Sequence, residues 1–317
     1  MKKFLSIISC LAMCGLFGCS QVSAEKNDKI NIVCTVFPAY DWVREITGNS
    51  DNLEITYLLE NGADMHSYQP TMDDIVKISS CDLFIYIGGE SDTWAEDAVK
   101  QAKNKNIKSV CLLDTLGDAV KEEEIKEGMQ SEETDEDGAE YDEHIWLSLD
   151  NAEILCSAIT EQIISLDSEN IEKYNDNFSG YCTELEKLDN EYSESLSEIE
   201  NKTLIFGDRF PFRYLVDDYG LDYYAVFSGC SAETEASFET ITFLADKIDE
   251  LHADKIFTIE GSNDSIAKAI ISGTKDKNQQ IVQLNSIQSV TSQQIKDGAT
   301  YLSFMKSNLD TLKEALS

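Results

Sequence analysis

The chain has 317 residues, of which 60 are acidic and 25 basic, giving a formal net charge of −35. Such a balance excludes a nucleic-acid partner, since phosphate contacts need clustered Lys and Arg. The length exceeds what one hydrophobic core usually serves, so two domains are expected.

The N-terminus reads as a targeting segment. Lys2 and Lys3 precede a largely apolar run from Phe4 to Phe17, too short to span a bilayer but suited to a signal-peptide core. It ends in Leu16-Phe17-Gly18-Cys19, which resembles the lipobox of bacterial lipoproteins. Residues 1–19 are therefore expected to be a lipoprotein signal peptide with Cys19 lipidated, and 20–29 a polar tether. The mature chain is expected outside the cytoplasm, lipid-anchored to the cell membrane. Plain secretion with cleavage near Ala24 is the alternative. Six further cysteines, Cys34, Cys81, Cys111, Cys156, Cys182 and Cys230, are scattered singly. No disulfide framework or zinc knuckle follows from that spacing, and the first three sit in apolar runs where free cysteine is a small core residue.

From residue 30 the pattern alternates. Strands are expected over Ile30–Phe37, Leu53–Leu59, Asp82–Gly88 and Lys108–Asp114, with helices over Tyr40–Thr47, Thr71–Ser79 and Asp92–Lys105. Alternation of this kind implies βαβ units and a parallel sheet. Residues 121–143 carry 12 acidic and 2 basic residues with few large apolar ones. They should form a mobile loop, either a solvated insertion or a cation-collecting segment. From about 169 to 199, Ile171, Tyr174, Phe178, Tyr181, Leu185, Leu188, Tyr192, Leu196 and Ile199 recur at spacings of three and four. That is a helix of about 45 Å, with Asp167 and Ser168 as candidate N-caps and Gly180 its one weak point.

The strand–helix pattern then restarts. Strands are expected over Lys202–Phe206, Asp222–Phe227, Asp254–Ile259 and Gln280–Leu284. Helices are expected over Pro211–Tyr219, Glu235–Leu251, Ser265–Ile271 and Thr291–Leu316. The fold class is α/β: two (β/α) lobes of similar topology, residues 30–165 and 201–317, joined by one long rigid helix within 166–200.

Histidine is the rarest informative residue, with three in the chain. His66 lies in Gly62-Ala-Asp-Met-His66-Ser-Tyr-Gln-Pro70, on a loop at the carboxyl end of a strand, where open α/β sheets place ligands. His144 lies in Asp142-Glu-His144-Ile-Trp-Leu147, where the acidic segment re-enters ordered structure. Two imidazoles need only one or two carboxylates to close a metal shell, and a hydrogen-bonding structural role is the competing reading. His252 ends a helix, where it would complement the helix dipole.

Through these motifs the chain resembles the metal-binding lipoproteins of bacterial zinc and manganese ABC transporters. The resemblance runs through Thr35-Val-Phe-Pro38, both histidine motifs, Asp82-Leu-Phe-Ile-Tyr-Ile-Gly88, the spine helix and Tyr219-Gly-Leu221. It implies two lobes closing on a metal in the cleft between them, with His66 and His144 as first-lobe ligands. A carboxylate after a late second-lobe strand completes such sites. Glu260 is the zinc-type candidate and Asp264 the manganese-type candidate.

One position departs from the family pattern. Where a histidine or glutamate ligand is expected, this chain has Arg209, which stays protonated and cannot bind a cation. Asp208 beside it could substitute, cap the following helix, or pair with Arg209. Arg209 could also clamp Glu260 or Asp264, and Glu143 is expected beside the ligands. Glu235, in the segment Ser228–Ser237, is read as opening the next long helix.

Two imidazoles with carboxylates suit Zn2+, with Mn2+ the alternative if coordination expands. The resemblance implies a monomeric binding lipoprotein that captures zinc and delivers it to an ABC permease, without catalysis. A metal-dependent enzyme is the alternative from another class, kept open by the Asp208–Arg209 pair. The chain lacks H-E-x-x-H, G-x-S-x-G and a phosphate-cradling glycine loop. An adhesin or metal-buffering lipoprotein is the third reading.

Overall fold

The computed structural model describes residues 29–48, 50–130, 140–231 and 235–316. The residues expected to form the signal peptide, Cys19 and most of the expected tether lie outside the described residues. Among the described residues, no helix is long and apolar enough to cross a membrane.

The N-terminal half is one parallel sheet. Strands β1 (Ile30–Cys34), β2 (Leu53–Tyr57), β3 (Leu83–Tyr86) and β4 (Lys108–Cys111) lie in the order β2-β1-β3-β4. All three pairings are parallel, with Ile32 beside both Ile55 and Leu83. β3 is buried along its whole length, as a parallel strand covered on both faces must be. The connections carry α1 (Phe37–Thr47), α2 (Met72–Ser80) and α3 (Trp94–Lys100). Pro38 sits in the first turn of α1, where its missing N–H costs nothing, and α2 opens on a capping box between Thr71 and Asp74. β4 is shorter than expected because the chain turns at once into α4 (Leu112–Leu116).

An 18-residue helix, α5 (Leu149–Leu166), was not anticipated. Its signal is present nonetheless: Leu149, Ala152, Leu155, Cys156, Ile159 and Ile163 recur at helical spacing and are all buried. The expected long helix is α6 (Ile171–Ser197), 27 residues or about 40 Å. It bonds to both halves. Asn177 donates to the Ile46 carbonyl (2.9 Å), and the Tyr192 hydroxyl donates to the Met305 carbonyl (2.6 Å). Asp167 accepts from Tyr174 (2.6 Å) and Asn52 (2.6 Å), so it ties the start of the helix to the first sheet instead of capping it.

The C-terminal half repeats the first topology with shorter strands. β5 (Thr203–Ile205) is followed by a two-residue β6 (Arg209–Phe210) and α7 (Arg213–Tyr219). The run expected as one strand over Asp222–Phe227 divides into β7 (Asp222–Tyr224) and β8 (Phe227–Ser228), which pair with β5 and β6 respectively. After α8 (Phe238–Leu251) come β9 (Lys255–Thr258), α9 (Ser265–Gly273) and β10 (Gln280–Gln283). A parallel bridge between Phe206 and Phe257 joins β5 to β9. The resulting order, β7-β5-β9-β10, matches that of the first sheet.

Two helix boundaries differ from expectation. α8 begins at Phe238, not Glu235, because Ser237 caps it by accepting from the Thr240 N–H. The final helix divides into α10 (Ser292–Lys296) and α11 (Tyr301–Leu316) around Gly298, whose φ of 91° breaks the helix. α11 returns across the junction: the Tyr301 N–H donates to buried Asp41 of α1 (2.7 Å), and its hydroxyl donates to the Trp146 carbonyl (2.6 Å).

The flanks of the acidic segment are built into the fold, contrary to the expectation of a free loop. Glu122 bridges Tyr141, Lys121 pairs with Asp217, Lys126 pairs with Asp222, and the Gln130 N–H donates to the Val226 carbonyl. Residues 131–139 lie outside the described residues.

Candidate metal centre

His66 and His144 meet at the junction of the two halves, with their Nε2 atoms 3.2 Å apart. His66 rides on a short 3-10 turn, Met65–Ser67, whose N-cap Asp64 accepts from the His66 N–H (3.0 Å). Its Nδ1 lies 2.8 Å from the Ser91 hydroxyl, with Glu143 behind at 3.7 Å. His144 is fully buried. Asp142 accepts from both its N–H (2.8 Å) and its Nδ1 (3.0 Å). A carboxylate can only accept when ionised, so Asp142 fixes the proton on Nδ1 and leaves the Nε2 lone pair facing His66. The Oε1 atom of Gln288 lies 3.0 Å from that same Nε2. The two Nε2 atoms and the Gln288 oxygen therefore converge on one point, where a single proton or a cation can be shared among them.

Electrostatics divide the pair. Burial and the neighbouring His144 push the His66 pKa down, disfavouring its charged form. Burial also opposes protonation of His144, but the Asp142 carboxylate outweighs it and holds that pKa up. Two rings this close cannot both carry a proton on Nε2. Burial pushes the Glu143 carboxyl up, against hydrogen bonds from Ser91 that favour its ionised form.

His66 faces a cavity of about 470 Å³ that Asp64, Asp208, Arg209 and Glu260 also line. The structure does not gather the three expected carboxylates around the imidazoles. Glu260 is engaged elsewhere: it accepts from the Ser286 N–H (2.7 Å), the Ser286 hydroxyl (2.6 Å) and the Gln288 N–H (3.3 Å). It therefore fastens the loop that presents Gln288. Asp264 is the N-cap residue of α9 in a left-handed conformation (φ 58°), near Thr258 at 3.4 Å and Lys268 at 3.7 Å. Asp208 accepts from the Arg209 N–H with one oxygen (2.9 Å), and its other oxygen is buried without a hydrogen-bond partner among the described residues. It does not cap α7, which begins five residues later.

Arg209 pairs with Asp64 and donates to the Ser231 carbonyl (3.3 Å). It thus ties the His66 turn to the segment after β8, and clamps neither Glu260 nor Asp264. Burial works against ionised Asp64, but Arg209 prevails and holds its carboxyl below the usual range.

One residue near the imidazoles was not read as a ligand from sequence. Among the described residues, ligand atoms of His66, His144 and Cys230 all lie within 4.8 Å of one another. Cys230 belongs to a second such group with Glu123 and Asp142. No local motif marks it, since it has no cysteine or histidine partner nearby in sequence. Its position in the loop that opens the second-half helix was the available signal. His252 caps the end of α8 in a left-handed conformation and joins neither group.

Two parallel sheets of matching strand order on one spine helix, with a buried imidazole pair at their junction, make a two-lobed α/β protein with a candidate metal centre between the lobes. The family model for zinc-uptake complex component A, periplasmic (ZnuA), matches residues 32–315, and the chain belongs to that family. It is 28% identical over 320 residues to the zinc-binding lipoprotein AdcA of Streptococcus pneumoniae, covering 99% of this chain and 61% of that protein. It thus spans about three-fifths of the length of the AdcA relatives. Against the high-affinity zinc uptake system protein ZnuA of Bacillus subtilis it is 28% identical over 312 residues, covering 96% of this chain and 93% of the relative. The crystal structure of the Zn(II)-bound ZnuA-like domain of S. pneumoniae AdcA superposes with a TM-score of 0.71 at 26% identity, covering 91% of this chain and 99% of that one. The periplasmic zinc-binding protein TroA of Treponema pallidum shares the fold, with a TM-score of 0.73 at 21% identity over 91% of this chain and 99% of that one.

Proposed function

We propose that this protein captures zinc outside the cytoplasmic membrane and passes it to the permease of an ABC importer. It works as a monomer, anchored through lipid on Cys19. The observation that carries the reading is the imidazole pair: two Nε2 atoms 3.2 Å apart, the outer nitrogens held by Asp142 and Ser91. Outer partners of this kind fix the tautomer and orientation of metal-binding histidines. His66 and His144 are the ligands from the first half. Membership of the zinc-uptake family and the zinc binding of relatives such as AdcA support zinc as the cargo.

The remaining residues have supporting tasks in this reading. Glu260 holds Gln288 against His144, and the buried, unpartnered oxygen of Asp208 lies in the wall of the adjoining cavity as a carboxylate that a bound cation could draw on. Glu143 steadies the Ser91 side of His66, and Arg209 closes the halves through Asp64. No bond in the cargo is made or broken, so the site has only to bind and release.

Calorimetric zinc titration of the purified protein tests the reading. His66→Ala and His144→Ala should each weaken binding on the order of 1000-fold, as loss of one of few ligands to a buried ion implies. Affinity should fall in acid as protons compete for the imidazoles. Unchanged zinc affinity in both variants would sink the assignment.

A further inference from the structure

We propose that Cys230 supplies the metal ligand of the second half, so that zinc is held by two imidazoles and one thiolate. This rests on the metal-capture reading above and deepens it. It fills the gap left where Arg209 stands at the expected ligand position.

Several observations place the sulfur there. Ligand atoms of Cys230, His66 and His144 lie within 4.8 Å of one another, so side-chain shifts of about an ångström would bring all three to the roughly 2.0–2.3 Å at which one zinc ion is bound. None of Asp208, Glu260 and Asp264 joins such a group among the described residues. The segment carrying Cys230 is held from three sides. β8 pairs with β6, the Cys230 N–H donates to Glu123 (2.9 Å), and Arg209 donates to the Ser231 carbonyl. The preceding residue has to be glycine for close approach. A Cβ on Gly229 would sit 2.9 Å from the Phe210 carbonyl and 3.2 Å from His144 Nδ1. Glu123 comes from the docked flank of the acidic segment, so that segment positions the ligand. Coordination replaces the thiol proton, which leaves for solvent as the sulfur bonds to the ion.

The ligand also sets specificity. Thiolate is a soft donor that suits zinc and disfavours manganese, which prefers oxygen. Cys230, more than the histidines, therefore decides the choice between the two ions.

Cobalt(II) reports the bond directly. The full-length protein loaded with cobalt should show an intense near-ultraviolet thiolate-to-cobalt charge-transfer band. Cys230→Ser should lose that band and bind zinc at least about 100-fold more weakly, while circular dichroism reports an intact fold. Cys230→Asp should narrow the preference for zinc over manganese. In wild-type protein, where folding of a variant is not at issue, zinc should slow alkylation of Cys230 at least about tenfold by peptide mapping, because the bound thiolate is no longer a free nucleophile. Zinc binding that depends on His66 and His144 but shows no thiolate band and no protection of Cys230 overturns this inference and leaves the capture reading intact. Absence of zinc binding by the wild-type protein overturns both.

Discussion

The two halves have the same strand order, yet they supply the junction in different ways. The first sheet has strands of four or five residues, and its imidazoles come from compact sequence motifs braced by neighbours such as Asp64 and Asp142. The second half is more fragmentary: β6 and β8, only two residues long, pair with each other apart from the β7-β5-β9-β10 order. Its polar contributions, Gln288 and Cys230, come from loops positioned by distant partners: Glu260 for one, and Glu123 and Arg209 for the other. A metal ion seated between a locally organised half and a remotely organised half would link their closure to its own binding.

The comparison can be broken at four places, beginning with the largest effect. His144→Ala removes the ring that both halves share, and should cost on the order of 1000-fold in zinc affinity, or ~4 kcal/mol. A loss below about tenfold in calorimetric titration would mean that His144 is not a ligand.

The seam between the halves is next. Asp41 of α1 is buried, and desolvation pushes its carboxyl up to about 6, against hydrogen bonding from the Tyr301 N–H and the charge of Arg44. A folded pKa above the unfolded value of 3.8 means that ionisation opposes folding. The contribution of Asp41 is most favourable below pH 3.8 and declines as pH rises to about 6. Asp41→Asn should therefore gain stability relative to the wild type, by up to roughly 3 kcal/mol, between those limits. Urea denaturation at pH 4 and pH 7 measures this, and a pH-independent difference would refute it.

Asp142→Asn sharpens the first half's share. It preserves shape while weakening the hold on His144 Nδ1, and should lower zinc affinity 10–100-fold with little change in fold. Equal affinity by titration would show that burial alone orients the ring. The smallest effect belongs to the spine. Gly180 lies mid-helix with nothing within 4 Å of an added Cβ. Gly180→Ala should raise stability by about 0.5–1 kcal/mol without altering metal affinity, as thermal melts would show. Reduced affinity in that variant would mean that α6 must flex for binding.

Much of the fold was legible because parallel strands announce themselves by continuous apolar runs and helices by three-four spacing. What was misread lay where tertiary contacts override local pattern. Phe227 leaves the run of β7 to pair with β6, and Ser237 instead of Glu235 caps α8. The docked flanks of the acidic segment follow the same rule, since Lys121 and Lys126 find acidic partners about a hundred positions away.

The sequence by itself determined the compartment expected of the chain, the α/β class and the two histidines, because those signals are local in composition, periodicity and motif. Only the tertiary structure decided what stands opposite the imidazoles. Asp208, Glu260 and Asp264 carry suitable chemistry, but hydrogen bonds and helix ends direct them to other tasks, while Cys230 has no local signature at all. A ligand shell is a set of distances between remote residues. Side-chain type can nominate its members, but only the packing of the two halves brings their atoms within reach of one ion.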